Sequence, residues 1–128
     1  MGKQHKVNDS VSYLGPNVVL EGDIHCDGPL HIDGKLTGEI VCNGNLIIGE
    51  TSKVYGKIRA KNIRIFGYFN GDLESVEGLE VMATGHVEGE IKGSKLTIQE
   101  GGIYKGKVNM DIIEAQSIYE GTFQVIQP

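Results

Sequence analysis

The chain has 128 residues with a net charge of −5; 19 residues are Gly, three are Pro and none is Trp. That length suits one domain, and a Gly surplus without Pro excludes collagen and argues against a disordered linker. The acidic balance makes nucleic acid an unexpected partner, and no apolar run approaches the ~18 residues of a membrane span.

Residues 1–12 (MGKQHKVNDSVS) are polar and lack the apolar centre of a signal peptide, so they read as a flexible tail. With no such signal and only two Cys, the expected setting is the cytoplasm, with reduced thiols. Residues 13–126 are expected to form one domain, followed by a short end at 127–128.

An internal repeat organises that domain. The unit is apolar, any residue, Gly, polar, apolar, first met as Leu20-Glu21-Gly22-Asp23-Ile24 and next as Leu36-Thr37-Gly38-Glu39-Ile40. It returns around Gly56, Gly71, Gly89 and Gly106, and more weakly around Gly121, at steps of 16, 18, 15, 18, 17 and 15 residues. Between the units lie apolar-x-apolar pairs: Leu30/Ile32, Leu46/Ile48, Ile63/Ile65, Leu79/Val81 and Leu96/Ile98. A sixth pair looks degraded, with Asp111 falling opposite Leu96 and only Ile113 kept.

Alternation with period two predicts strands. A period near 17 residues is too short for a βαβ unit or a propeller blade, and it suits one coil of a parallel β-helix. The expected fold is therefore all-β, a solenoid of about seven coils with almost no helix. One inward column runs Leu20, Leu36, Val54, Phe69, Val87, Tyr104, Tyr119; another runs Ile24, Ile40, Ile58, Leu73, Ile91, Val108, Phe123. A single coil cannot bury its apolar side alone, so stacking makes the core.

The two ends carry the functional expectation. A β-helix leaves unpaired N–H and C=O groups at both ends, and bare strand edges template pairing with another chain. Neither flank offers residues that pattern as a covering helix. Val18, Val19, Leu20 and Ile24 at one end and Tyr119, Phe123, Val125 and Ile126 at the other are the expected self-association residues. Repeated end contacts of this kind do not close, so they generate filaments.

Cys26 and Cys42 occupy the same place in adjacent coils, in a column that continues as Ala60, Ser75, Gly93, Met110 and Val125. They read as small side chains packed inward, kept as free thiols. His25 alternates with Cys26 and should face outward, so His25, Cys26, His31 and Cys42 do not converge as zinc ligands. His5 and His86 have no evident partners. No nucleophile motif or phosphate loop is present, so no enzyme activity, cofactor or metal is expected. The hexapeptide-repeat acyltransferases need a strict 18-residue coil, which the irregular steps do not supply. Lys53, Lys57, Arg59, Lys61 and Arg64 form a basic band, followed by an acidic band from Asp72 to Glu90. Unlike neighbours such as Glu39, Lys57 and Asp72 are expected to pair across coils.

The ordered series of these units resembles the bactofilins. It rests on Tyr13-Leu14-Gly15-Pro16, on Leu30-His31-Ile32-Asp33-Gly34-Lys35-Leu36-Thr37-Gly38-Glu39-Ile40, on Leu46-Ile47-Ile48-Gly49-Glu50 and on the later Gly units. The resemblance implies a right-handed β-helix that polymerises without nucleotide and scaffolds cell shape or the cell wall, often at the inner face of the membrane. A cell-wall enzyme is then an implied partner. The tail supplies only Lys3, His5 and Lys6 toward a membrane. The competing expectation is a non-polymerising β-helix module that recruits a cell-wall enzyme.

Overall fold

The computed structural model describes residues 12–115 and 119–125. Every described element is a strand and every pairing is parallel, so the chain is a parallel β-solenoid. Three short strands, β1 (Ser12–Leu14), β2 (Val19–Glu21) and β3 (Ile24–Cys26), open it, followed by β4 (Leu30–Ile32). Five long strands then each wrap one turn: β5 (Lys35–Ile48), β6 (Lys53–Ile65), β7 (Tyr68–Val81), β8 (His86–Ile98) and β9 (Ile103–Ala115). β10 (Tyr119–Val125) lies on β9. The described residues thus hold six three-sided turns, the first made of β2, β3 and β4, with a partial turn at each end, against the seven coils expected.

The motif glycines stack directly: Gly38 on Gly56, Gly56 on Gly71, Gly71 on Gly89, Gly89 on Gly106. Gly56 has a φ of 134°, and a Cβ there would collide with the Gly38 carbonyl oxygen of the turn above. Both facts select glycine, because L side chains rarely adopt that backbone and no space exists for one.

The uneven steps have a simple origin. The motif strand and the apolar pair keep constant lengths, and only two corners vary. The corner before the pair holds two residues after Cys42 and Ser75 and one after Ala60 and Gly93. The corner after the pair holds two residues (33–34, 66–67) or four (49–52, 82–85, 99–102). Each four-residue corner closes with an i+3 hydrogen bond: Ser52 N–H to Gly49 O at 3.0 Å, Gly85 N–H to Met82 O at 2.8 Å, Gly102 N–H to Gln99 O at 2.9 Å. The coil absorbs these insertions at its corners without losing register on its faces.

Each turn has five inward positions; in β5 they hold Leu36, Ile40, Cys42, Leu46 and Ile48, all buried, and in β8 one of them is Gly93. Both predicted columns form in the predicted register. In the first, bulky Phe69 and Tyr104 each adjoin the smaller Val87, and Phe69 also adjoins Val54, so size alternates along the column. Tyr104 is fully buried, and its hydroxyl lies between Gly89 O and, at 2.7 Å, Lys107 O, so its one proton has a carbonyl acceptor in reach. The polar end of a buried Tyr is thereby satisfied.

The last pair departs from expectation. Ile113, not Asp111, sits against Leu96, and Ala115 sits against Ile98. A single residue, Asp111, makes the corner after Met110, just as Ser94 does after Gly93, so the pair is two residues further along than Asp111 suggests. Asp111 is exposed at that corner.

Candidate assembly interface

The first turn obeys the repeat, and among the described residues only β1 lies above it, over β4. β2 and β3 pair only with β5, and β1 pairs only with β4. Their outer edges have no strand partner among the described residues, one edge on each of the three faces. Leu20 and Ile24 stand in the inward columns and are half-buried, packed against the core from below. The equivalent residues one turn down, Leu36 and Ile40, are 0% and 1% exposed. Leu14 closes the third face in the same half-covered way.

The structure separates the predicted residues of this end into two kinds. Leu20 and Ile24 present apolar surface along the stack axis. Val19 belongs to an outward column with Lys35, Lys53 and Tyr68, and it is 71% exposed on the flank of the rod. Val18 is at the corner over Gly34, where its carbonyl accepts the Lys35 N–H at 2.9 Å. Tyr13, 56% exposed, adds an aromatic edge to the same rim.

At the other end, β10 continues the register of β9 over two faces, Tyr119 against Tyr104 and Phe123 against Val108. The side chains of Tyr119, Phe123 and Val125, and the whole of Ile126, lie outside the described residues. On the third face Ile113 is half-buried and Ile112 is 53% exposed. Nothing in the repeat marks Ile112, because it is outward and belongs to no inward column.

Three further outward features are absent from the sequence-based expectations. His25, His31 and His86 are each followed two residues later by a carboxylate, and residues two apart on a strand share a face. His25 Nε2 lies 3.5 Å from Asp27, His31 Nε2 lies 3.0 Å from Asp33, and His86 Nε2 lies 2.8 Å from Glu88. His86 therefore has a partner, contrary to expectation, and it also stacks on Tyr68 at 5.2 Å, which meets Tyr55 at 5.7 Å. The spacing His-x-Asp/Glu is the readable signal.

Asp33 also ties down the rim. The Tyr13 hydroxyl donates to Asp33 Oδ2 at 2.6 Å, and the Tyr13 ring meets the His31 ring edge-on at 5.3 Å. The hydrogen bond to Asp33 raises the Tyr13 pKa above the ordinary tyrosine value. This cluster fastens β1, a three-residue strand paired on one side only.

Cys26 and Cys42 are adjacent in one inward column, as expected, and both are free thiols. Both sulfurs point at the Gly28 carbonyl, from 3.4 Å and 3.1 Å. Cys42 is buried, and burial pushes its thiol pKa up. His25 is exposed and turned away from them, so the two His and two Cys do not converge. Among the described residues no group of three or more His, Cys, Asp or Glu is placed to hold a metal.

The expected ladder of Glu39, Lys57 and Asp72 forms in register but not as ion pairs. The Lys and Arg pairs that do form among the described residues lie elsewhere: Arg64–Glu80 at 3.5 Å and Glu74–Lys92 at 4.0 Å are directly stacked register partners, and Lys95–Glu114 at 3.4 Å is diagonal. No helix among the described residues is long and apolar enough to cross a membrane.

Comparison with known proteins agrees with this architecture. The bactofilin family model, described as polymer-forming cytoskeletal, matches residues 12–109. Bactofilin BacO of Myxococcus xanthus (strain DK1622) is 30% identical over 101 residues, covering 79% of this chain and 80% of that protein. BacN of the same organism is 30% identical over 99 residues, covering 77% and 88%. BacP is 24% identical over 115 residues, covering 90% of this chain but 48% of that protein, so the chain spans about half the length of that relative. A cryo-EM reconstruction of Thermus thermophilus bactofilin double helical filaments superposes with a TM-score of 0.62 at 20% identity, covering 90% of this chain and 99% of that one. That last likeness establishes the fold.

Proposed function

The chain belongs to the bactofilin family of polymer-forming cytoskeletal proteins, and from this we propose that it assembles end to end, without nucleotide, into filaments that scaffold cell shape or cell-wall organisation. One observation carries the reading: at Leu20 and Ile24 the first turn has the same kind of inward residue as the buried turns, with no strand over them among the described residues. A second copy laid on Leu20 and Ile24 would extend the inward columns and pair the open edges of β1, β2 and β3. Val18 and Val19 would border that contact. At the far end, Tyr119, Phe123, Val125 and Ile126 would supply the matching surface. Assembly needs no bound nucleotide in this scheme, because apolar burial and strand pairing supply the drive.

The scaffold would act in the cytoplasm, at the inner face of the membrane, and would hold a cell-wall enzyme as its partner. The name of the Thermus structure, a filament, supports the polymer part of this reading. The test is negative-stain microscopy of purified protein over a concentration series without nucleotide. Filaments of solenoid width are expected, and Phe123→Arg should abolish them by burying an unpaired charge at the joint. Compact particles at every concentration would overturn the reading in favour of a non-polymerising binding module.

A further inference from the structure

The rod has three flat faces, and their outward charges are arranged differently. On the face of Asn45, Asn62 and Thr97, the charges pair within the chain, as Arg64–Glu80 and Lys95–Glu114. On the face that begins with β3 they mostly do not. There Glu39, Lys57, Arg59 and Asp72 border a shallow groove of ≈ 420 Å³. None of these four makes an ion pair among the described residues; on this face Glu74 and Lys92 approach at 4.0 Å, and His25 meets Asp27 at 3.5 Å at its first edge.

We propose that this face is a lateral interface, pairing antiparallel with the same face of a second copy of this chain. The turns supply one outward row each, in strict register. Asp23 and Glu39 give the first and second rows one negative charge each. Lys57 and Arg59 make the third row doubly positive, and Asp72 and Glu74 make the fourth doubly negative. Glu90 and Lys92 cancel in the fifth row, and Lys107 leaves the sixth with one positive charge.

Such a series is complementary to its own reverse. A two-fold axis between the third and fourth rows sets the doubly positive row on the partner's doubly negative row, twice. It sets the first row on the sixth, again unlike on unlike, and the second on the neutral fifth. Every opposed pair of rows attracts or is neutral. Parallel packing in register sets each row on itself, and the two doubly charged rows repel. A closed two-fold contact requires self-complementarity of this kind. The row spacing of ~4.8 Å is shared by both copies, so the match holds along the whole face. Val41, 38% exposed on this face, gives the contact an apolar element.

The interface is independent of the turns' ends: it would pair two filaments, or two single rods if no filament forms. The test uses the full chain, with sedimentation velocity and negative-stain microscopy at low salt and at ~1 M salt, where the Debye length falls to about 3 Å. Wild type should pair at low salt and separate at high salt. Two charge-reversal variants, Lys57→Glu/Arg59→Glu and Asp72→Lys/Glu74→Lys, should each lose pairing, with at least a tenfold weaker association. An equimolar mixture of the two should restore it, because the two negative rows of one meet the two positive rows of the other. Should a reversal melt below wild type, Lys57→Gln/Arg59→Gln should weaken pairing in the same direction. Unpaired wild type at low salt, pairing unchanged in either variant, or a mixture that stays apart would each overturn the proposal. So would a basic row that serves a membrane instead: Lys57→Glu/Arg59→Glu would then lose binding to anionic vesicles while pairing stayed intact.

Discussion

The first turn and the middle turns carry the same kinds of inward residue in the same register, yet they meet different surroundings. Ile40 is buried because the turns above and below cover it; Ile24, one place up the same column, is half-exposed because only one side is covered. The difference lies in position along the stack, not in sequence. Exposed apolar surface at the rim is thus what the repeat itself produces wherever it stops without a cover. Assembly and folding draw on one interaction, used between turns in one case and between copies in the other.

Substitutions that are equivalent in sequence should therefore part company in effect. The widest gap is expected for an aspartate in the second inward column. Ile40→Asp places an unpaired charge between covered turns and should cost roughly 5 kcal/mol, enough to unfold a small domain. Ile24→Asp leaves its charge in reach of water and should cost about 1 kcal/mol while blocking assembly. Thermal melts of the two, set beside microscopy, check both halves.

The glycine column repeats the contrast on a smaller scale. Gly56→Ala meets both the unfavourable φ and the Gly38 carbonyl, and should cost about 3 kcal/mol or more. Gly22 has a φ of 133°, but a methyl group there would meet nothing within 4 Å, so Gly22→Ala should cost about 1 kcal/mol, the backbone share alone. Urea unfolding of each variant separates these values.

The two thiols sharpen the comparison without mutation. Cys26, in the open turn, should react with a thiol reagent well before buried Cys42. A thiol whose folded pKa is raised keeps its contribution to stability below the unfolded value, near ~8.5, and loses it as pH rises from there through the folded value. Cys42 labelling should accordingly accelerate, and stability fall, only above that pH. Assembly at the first turn should slow labelling of Cys26 and leave Cys42 unaffected. The smallest effect is expected for Tyr13→Phe, which removes the hydrogen bond to Asp33 at the exposed rim; amide exchange of 12–14 should quicken while the melting temperature stays nearly constant.

What is legible in the sequence follows the same division. Inward positions are legible because burial on every turn forces apolar residues into one register, and the motif glycine marks where each turn starts. The cysteine column is legible for that reason. Outward positions obey no such constraint. The Glu39–Lys57–Asp72 ladder stacks without pairing, since register fixes Cα positions and leaves the side chains to choose partners. His86 finds Glu88 and Tyr68 through strand geometry that spacing encodes only weakly. The last apolar pair, Ile113 and Ala115, follows Gly106 at the same distance as Leu96 follows Gly89; it is hard to read because Ala115 is small where the other turns have Ile or Val, and Asp111 takes the corner. Of the end residues, Leu20 and Ile24 already stand in the inward columns read from the sequence; that Val19 faces the flank and Val18 sits at a corner follows from the structure.

The central claim is that the first turn, open over β2 and β3 among the described residues, is a joint. The most direct measurement is negative-stain microscopy of Ile24→Arg beside wild type, without nucleotide, at concentrations where wild type polymerises. The account predicts long filaments for wild type and compact, fully folded particles for Ile24→Arg. Filaments of normal length from folded Ile24→Arg would contradict it, and would mean that the first turn takes no part in assembly.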